Sequence, residues 1–396
     1  MRVETISHST GDQLPLLLDD DGLPIPGPNE FILGRRGLST NTLVRNLREI
    51  AILFRWLRRE DIDLWERIDS VRMFTEADVR GGMVESMRRE QIQGHKIAKL
   101  VVSPHTFNQR LTTLRQFLVW CFDMRIGSIP MDDEKYERMR DHKSRVVKWL
   151  DSAFINSPPE NRRGRKGLQD KEIEFLIACL DPKNPKSIGR NPAVRYRNYI
   201  SIMIMLYYGL RPGELLSLRV EDIEIGAISA IRVKRRHSDP MDLRKPRPQI
   251  KRNGRVLPID DSVFARRLDE YIVTWREELE PHAEAESDYL ILSDEGEPLS
   301  QSALTQLFQR LRSKFPQELP SHLTAKTLRH TFSSKIERTL REAGIEEERR
   351  RHVLATLRGD SSLESQSVYV AQEIDDQANL ALSRYQRLLI IEDVPW

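Results

Sequence analysis

Apolar residues along the chain recur mostly at three- and four-residue steps, the spacing of a helix with one buried face. Leu43, Leu47, Ile50, Ala51, Phe54 and Leu57 form the first such run, with Ser39 or Thr40 placed to cap it. A second runs from about Pro104 to Phe122. Leu111, Leu114, Leu118 and Trp120-Cys121 make its stripe, and Asn108, Arg110, Thr112 and Arg115 lie mostly off it. Further helices are expected from Asp170 to about Leu180, then Arg195–Tyr208, Ser300–Phe315, Lys326–Leu340, Glu346–Leu357 and around Gln372–Leu389. Gly209 stops the strongly apolar Arg195–Tyr208 helix, and Pro212 opens the next, through Leu218.

Between Ile223 and Ile259 the period shortens. Ile228, Ile231 and Val233, then Val256, Leu257 and Ile259, flank a polar insertion ending in Asn253-Gly254, a hairpin signal. Tyr289-Leu-Ile-Leu292 predicts one more short strand. The fold class is therefore mainly α with a small antiparallel sheet. Four segments follow. Residues 1–38, punctuated by Pro24, Pro26 and Pro28 beside Asp19-Asp-Asp21, read as an extended N-terminal arm. Residues 39–150 form a helical domain. Residues 151–168 hold a linker with the basic run Arg162-Arg-Gly-Arg-Lys166, and 169–396 form the second, mixed domain. There is no internal repeat and no low-complexity tract.

Composition narrows the class. The 396 residues are 39% hydrophobic and 31% charged, which suits a charge-rich globular protein and excludes a disordered one. No apolar run reaches the length of a bilayer span, and the first residues show no basic stretch followed by an apolar one, so export is not expected. Two cysteines, Cys121 and Cys179, form no disulfide framework, so a reducing cytoplasm is the simplest compartment. A net charge of +3 tilts weakly toward an anionic partner. The stronger signal is local: Arg162, Arg163, Arg165 and Lys166, then Lys234-Arg-Arg-His237, then Lys251-Arg252. Each run also reads as solvated surface.

Three short segments carry candidate chemistry: Gly209-Leu-Arg-Pro-Gly-Glu214, Lys326-Thr-Leu-Arg-His330 and Ser367-Val-Tyr-Val370. Arg211 sits in a tight turn between helices, where Glu214 can orient it; a capping arginine is the plainer reading. Leu328, Phe332, Ile336 and Leu340 are the buried stripe of their helix. Lys326 and Arg329, three apart, project together from another face, either onto one phosphate or simply into solvent. His330 beside them reads first as a packing residue. Two guanidinium forks and a phenol are what metal-free phosphodiester cleavage needs. The nine histidines are scattered and no paired-cysteine or phosphate-loop motif occurs, so neither metal nor nucleotide cofactor is expected.

Taken together these segments resemble the tyrosine recombinase (phage integrase) family over roughly residues 39–385. Tyr207-Tyr-Gly-Leu-Arg-Pro-Gly-Glu-Leu-Leu-Ser-Leu218 looks like its first arginine box. Lys326-Thr-Leu-Arg-His-Thr-Phe332 is similar to its His-x-x-Arg box. Gly359-Asp-Ser-Ser through Tyr369 is similar to its terminal Gly-His-Ser-Ser…Tyr box. The resemblance implies Tyr369 as nucleophile, Arg211 and Arg329 as a phosphate clamp, and Lys251 as general acid in a β-hairpin, with Lys234 and Lys245 as alternatives. It implies a SAM-like core-binding domain ahead of the catalytic one, with Arg110, Arg115 and the basic linker against double-stranded DNA bearing inverted repeats. Location at the nucleoid and accessory proteins belong to the same expectation. Leu380, Leu382, Tyr385, Leu388 and Leu389 give a last helix that in the family packs on a neighbouring protomer of a tetramer; packing on its own subunit is the alternative.

Two positions depart from the family. Lys326 stands where the second box has histidine, and is a poorer general base near neutral pH. Asp360 stands where the last box has histidine or tryptophan; an ionised aspartate cannot donate to a phosphate. Asp360 is expected to orient Lys326 or an arginine, or else to slow the enzyme until it assembles, with His330 and His352 as substitute donors. A catalytically attenuated DNA-binding accessory protein, and a topoisomerase of the type IB kind, are the alternative functions.

Overall fold

The computed structural model describes residues 1–9, 12–70, 73–89, 101–156, 167–184, 186–236, 239, 242, 244–245, 247–248, 250, 254–280, 287–360 and 368–389; for 368–373, 375 and 376 it describes backbone alone. The chain divides into two compact units, Met1–Asn161 and Arg162–Trp396.

In the first unit the N-terminal segment is folded rather than an extended arm. β1 (Arg2–Ser7) and β2 (Gln13–Leu18) pair antiparallel, Arg2 opposite Leu18 and Ser7 opposite Gln13. α1 (Pro26–Leu33) is clasped to β2 by Asn29, whose side chain accepts from the Leu17 N–H at 2.8 Å and donates to the Leu17 carbonyl at 3.0 Å. The proline signal misleads for a physical reason. Pro26 and Pro28 occupy the first turn of α1, where a backbone N–H has no helical partner to lose.

α2 (Thr40–Arg59) begins as expected: the Ser39 hydroxyl accepts from the Thr42 N–H. α3 (Leu64–Asp69), a π-helical stretch at Ala77–Val84, α4 (Glu85–Arg88), α5 (Pro104–Ile126) and α6 (Glu134–Asp151) complete the unit. Its core joins Leu47, Ile50 and Leu53 of α2 to Leu111, Leu114 and Phe117 of α5, with Phe31 edge-on to Phe117. His142 of α6 is buried and accepts from the Phe74 N–H at 3.0 Å. Burial pulls its pKa down to about 4, so it packs as a neutral ring.

The second unit is built on α8 (Pro192–Tyr208), preceded by α7 (Asp170–Leu180). Nearly every α8 residue is buried, which explains its apolar run on all sides. α9 (Pro212–Leu216) follows, then a sheet of β3 (Ile223–Glu224), β4 (Ala230–Val233) and β5 (Arg255–Pro258), antiparallel in that order. Val233 pairs with Arg255, so β4 and β5 lie side by side on either side of the polar insertion, as expected. Gly254 passes so near that an added Cβ would meet the Val233 carbonyl at 2.6 Å.

α10 (Ser262–Glu270), α11 (Gln301–Lys314), α12 (Ala325–Glu342), α13 (Glu347–Arg358) and α14 (Val368–Leu389) wrap the core. The expected strand at Tyr289–Leu292 makes only isolated bridges, Tyr289 to Arg219 and Leu292 to Pro298. α14 docks on its own unit: Leu382 and Tyr385 are fully buried, and the Tyr385 hydroxyl donates to the Leu206 carbonyl at 3.0 Å. Leu380 and Leu388 stay exposed. Among the described residues no helix is long and apolar enough to cross a membrane.

Candidate active site

The first wall of the site is the turn after α8. Gly209 ends that helix in the left-handed region, φ 60° and ψ 28°. A Cβ there would meet the Phe332 ring at 2.4 Å, so backbone conformation and close approach both demand glycine. Arg211 then caps α9. Its N–H donates to Glu214 Oε2 and its Nη1 to Glu214 Oε1, each at 2.9 Å. Glu214 is 2% exposed and takes a second guanidinium, Arg255 of β5, at 3.1 and 3.4 Å. Burial by itself would raise the Glu214 carboxyl, but Arg255 and then Arg211 outweigh it and hold the group below its ordinary range.

α12 forms the second wall. The Thr324 hydroxyl accepts from the Thr327 N–H, and Leu328, Phe332, Ile336 and Leu340 are buried, as the four-residue repeat predicts. Arg329 points inward: Nη1 donates to the Gly209 carbonyl at 2.7 Å and Nη2 to the Arg358 carbonyl at 3.0 Å. Lys326 does not accompany it. It is exposed, with no hydrogen-bond or ion-pair partner among the described residues. His330 is half-buried.

The third wall is the end of α13. Gly359 adopts the left-handed conformation, φ 62°, and the Asp360 N–H closes the turn onto the Ala355 carbonyl at 2.8 Å. That turn delivers the Asp360 carboxylate into the pocket. Its Oδ1 accepts from Arg211 Nη2 and lies 3.5 Å from Arg329 Nη2, and its Oδ2 lies 3.2 Å from Arg358 Nε. The Arg358 carbonyl accepts from Arg211 as well, at 3.2 Å. Four guanidiniums thus meet two carboxylates, an excess of positive charge. Burial first, then the neighbouring Arg211 and Arg358, lowers Arg329 to about 10; it remains a cation at neutral pH, held at some cost. The arrangement can bind a singly charged anion with two acceptor oxygens.

Of the residues singled out in the sequence, Arg211, Arg329 and Asp360 come together. Lys251, Arg162, Arg163, Arg165 and Lys166 lie outside the described residues. Tyr369 falls in the first turn of α14, where backbone alone is described. Lys234 is exposed and lies 3.4 Å from Asp222, Lys245 is exposed, and His352 is half-buried on α13. In the first unit, Arg110 donates to the Met87 and Arg89 carbonyls at 3.0 and 2.8 Å, and Arg115 grips Asp151 with two donors. Arg110 is tied to backbone carbonyls, whereas the Arg115–Asp151 pair lies at the surface.

The described tyrosines of the second unit make poor nucleophiles. Burial is the leading cause that raises Tyr196, Tyr271 and Tyr289 to about 12, and it also raises Tyr199, Tyr207, Tyr208 and Tyr385. Arg255 and Arg358 escaped the sequence reading. Arg255 left one signal: it shares a strand face with buried Leu257, an inward position for a charge.

The Phage integrase family model matches residues 168–369. Transposase A from transposon Tn554 of Staphylococcus aureus is 27% identical over 334 residues, 82% of either chain. Among solved structures, the Tn1549 transposon integrase in complex with circular intermediate DNA is 18% identical, covering 89% of this chain and 98% of its own, with a TM-score of 0.47. A lambda integrase tetramer bound to a Holliday junction is 16% identical, covering 86% and 79%, with a TM-score of 0.46. The family match spans just over half of the chain and contains the Arg211 turn, the start of α12, the end of α13 and Tyr369, so the chain belongs to the phage integrase family, the tyrosine recombinases.

Proposed function

We propose that this chain is a site-specific recombinase that cleaves and rejoins DNA strands through a 3′-phosphotyrosyl intermediate. One observation carries the reading: Arg211 and Arg329, from boxes far apart in sequence, converge on the same two acceptors, the Arg358 carbonyl and Asp360. In the proposed reaction they hold the non-bridging oxygens of the scissile phosphate, where donors aimed at developing charge lower the barrier. The Tyr369 oxygen forms a bond to phosphorus as the bond to the 5′-oxygen breaks. The phenol proton leaves to a base, and the 5′-oxygen gains a proton from Lys251. Attack by a 5′-hydroxyl of a partner strand reverses these steps and restores the phenol. The phosphodiester energy is conserved in the covalent bond, so the reaction requires no energy source.

The transposase relative supports a mobile-element substrate, and inverted core sites follow from the family resemblance. A tetramer on DNA belongs to the same reading, with exposed Leu380 and Leu388 of α14 as the contact. Location with the nucleoid and any accessory proteins follow from the same reading. Incubating the protein with nicked suicide substrates carrying the element ends is expected to trap a covalent adduct, absent in Tyr369→Phe. An adduct that persists in that variant moves the nucleophile elsewhere. Tight DNA binding with no adduct from the unaltered protein favours the second reading, an attenuated accessory factor, which the Asp360 carboxylate in the pocket motivates.

A further inference from the structure

We propose that Arg358 is a third ligand of the phosphate, and that the Asp360 carboxylate holds the phosphate's place until DNA arrives. The proposal rests on the reading of this pocket as a phosphate site. Three guanidiniums surround one carboxylate: Arg211 and Arg329 at Oδ1, Arg358 at Oδ2. A carboxylate and a phosphodiester each offer one negative charge spread over two oxygens, so what satisfies one satisfies the other. Both cannot occupy the pocket, since like charges at that distance repel.

Arg358 is the ligand left incomplete. Its Nε is buried and has no hydrogen bond, because the 3.2 Å approach to Asp360 Oδ2 is badly aligned. A charged donor that the neighbouring carboxylate leaves unsatisfied can instead take an oxygen of a differently shaped anion in the same place. Its backbone is fixed, since Arg358 ends α13 and its carbonyl takes both Arg211 and Arg329. Its side chain is 36% exposed against 11% for Arg329, so it is the arginine of the three most open to an entering backbone. Rotation of Asp360 out of the pocket exchanges one anion for the other without moving a helix.

The alternative is that Arg358 only steadies Asp360. A double-mutant cycle separates the two, read as the single-turnover rate of adduct formation on a suicide substrate at saturating DNA. Asp360→Ala is expected to form adduct at least as fast as the unaltered protein. Arg358→Ala is expected to slow it by roughly a hundredfold, the usual loss for one such donor, and to do so equally in the Asp360→Ala background. If Arg358→Ala has no effect once Asp360 is gone, or if Asp360→Ala abolishes the adduct while melting normally, the proposal is overturned. Arg358→Lys guards against a folding defect: it keeps the charge at the helix end but loses the fork, and an unchanged rate would also overturn it. No adduct from either the unaltered protein or Asp360→Ala on any end sequence would overturn the reading of the pocket as a catalytic phosphate site.

Discussion

Glu214 is the residue on which the geometry of Arg211 depends. It is buried between Arg211 and Arg255, so its charge is matched only while both guanidiniums stay in place. Glu214→Gln keeps the shape and removes the charge, leaving Arg255 buried without a counter-ion. Breaking a buried pair in this way costs about 3 kcal/mol, and Arg211 loses its orienting partner with it. We expect a lower urea midpoint and slower adduct formation. The pH dependence has a definite sign. The folded-state pKa of Glu214 lies below its ordinary value of 4.5, so its contribution is fully present above that value and fades as pH falls through the lowered one. Urea midpoints of the two proteins should therefore differ at neutral pH and converge in acid; a constant gap would show that charge is not what Glu214 supplies. The Arg211–Glu214 pair was legible because it is a capping arrangement three residues long. Arg255 was not, because only the fold brings β5 to that turn.

At the scale of elements, the site is a meeting of three helix ends: the end of α8, the start of α12 and the end of α13. Gly209 fixes the first against the second. Gly209→Ala would force a side chain into the left-handed region and into the Phe332 ring, which cannot retreat because it lies edge-on to fully buried Tyr385 at 5.6 Å. The two penalties, about 1–2 kcal/mol for the conformation and about 1–3 kcal/mol for overpacking, together predict a loss of about 2–5 kcal/mol in denaturant unfolding. A smaller loss in stability with a normal adduct rate would mean that the turn yields easily. Helices such as α2, α7 and α12 were legible because their apolar period and caps are local. The antiparallel pairing of β4 with β5 was legible too, because two β-prone runs flank the polar insertion; its residue-by-residue register was not.

For the whole molecule, affinity for DNA rests on cations that release counter-ions, not on a net charge of only +3. Just after the basic run in sequence, the Leu168 N–H donates to Thr331 Oγ1 at 2.7 Å, and Gly167 lies against the Thr331 backbone, two residues beyond Arg329. Changing Arg162, Arg163, Arg165 and Lys166 to glutamine is expected to weaken binding across DNA sequences. The slope of log affinity against log salt should flatten by about 0.9 for each phosphate that is no longer neutralised. Fluorescence anisotropy over a salt series measures this; an unchanged slope would remove the segment from the DNA backbone. The sequence by itself determined the family, the helical character and the residues of each box, because box spacing, caps and apolar period are properties of neighbouring residues. Only the tertiary structure decided that the N-terminal segment folds, that α14 docks on its own unit, and that Arg110 is tied to the Met87 and Arg89 carbonyls. The resemblance implied that Arg211, Arg329 and Asp360 share a site; the tertiary structure decided that Asp360 meets Arg211 across 149 residues rather than Lys326, and it alone added Arg358 and Arg255. Which charges share a pocket depends on contacts between segments remote in sequence, and no local pattern records them.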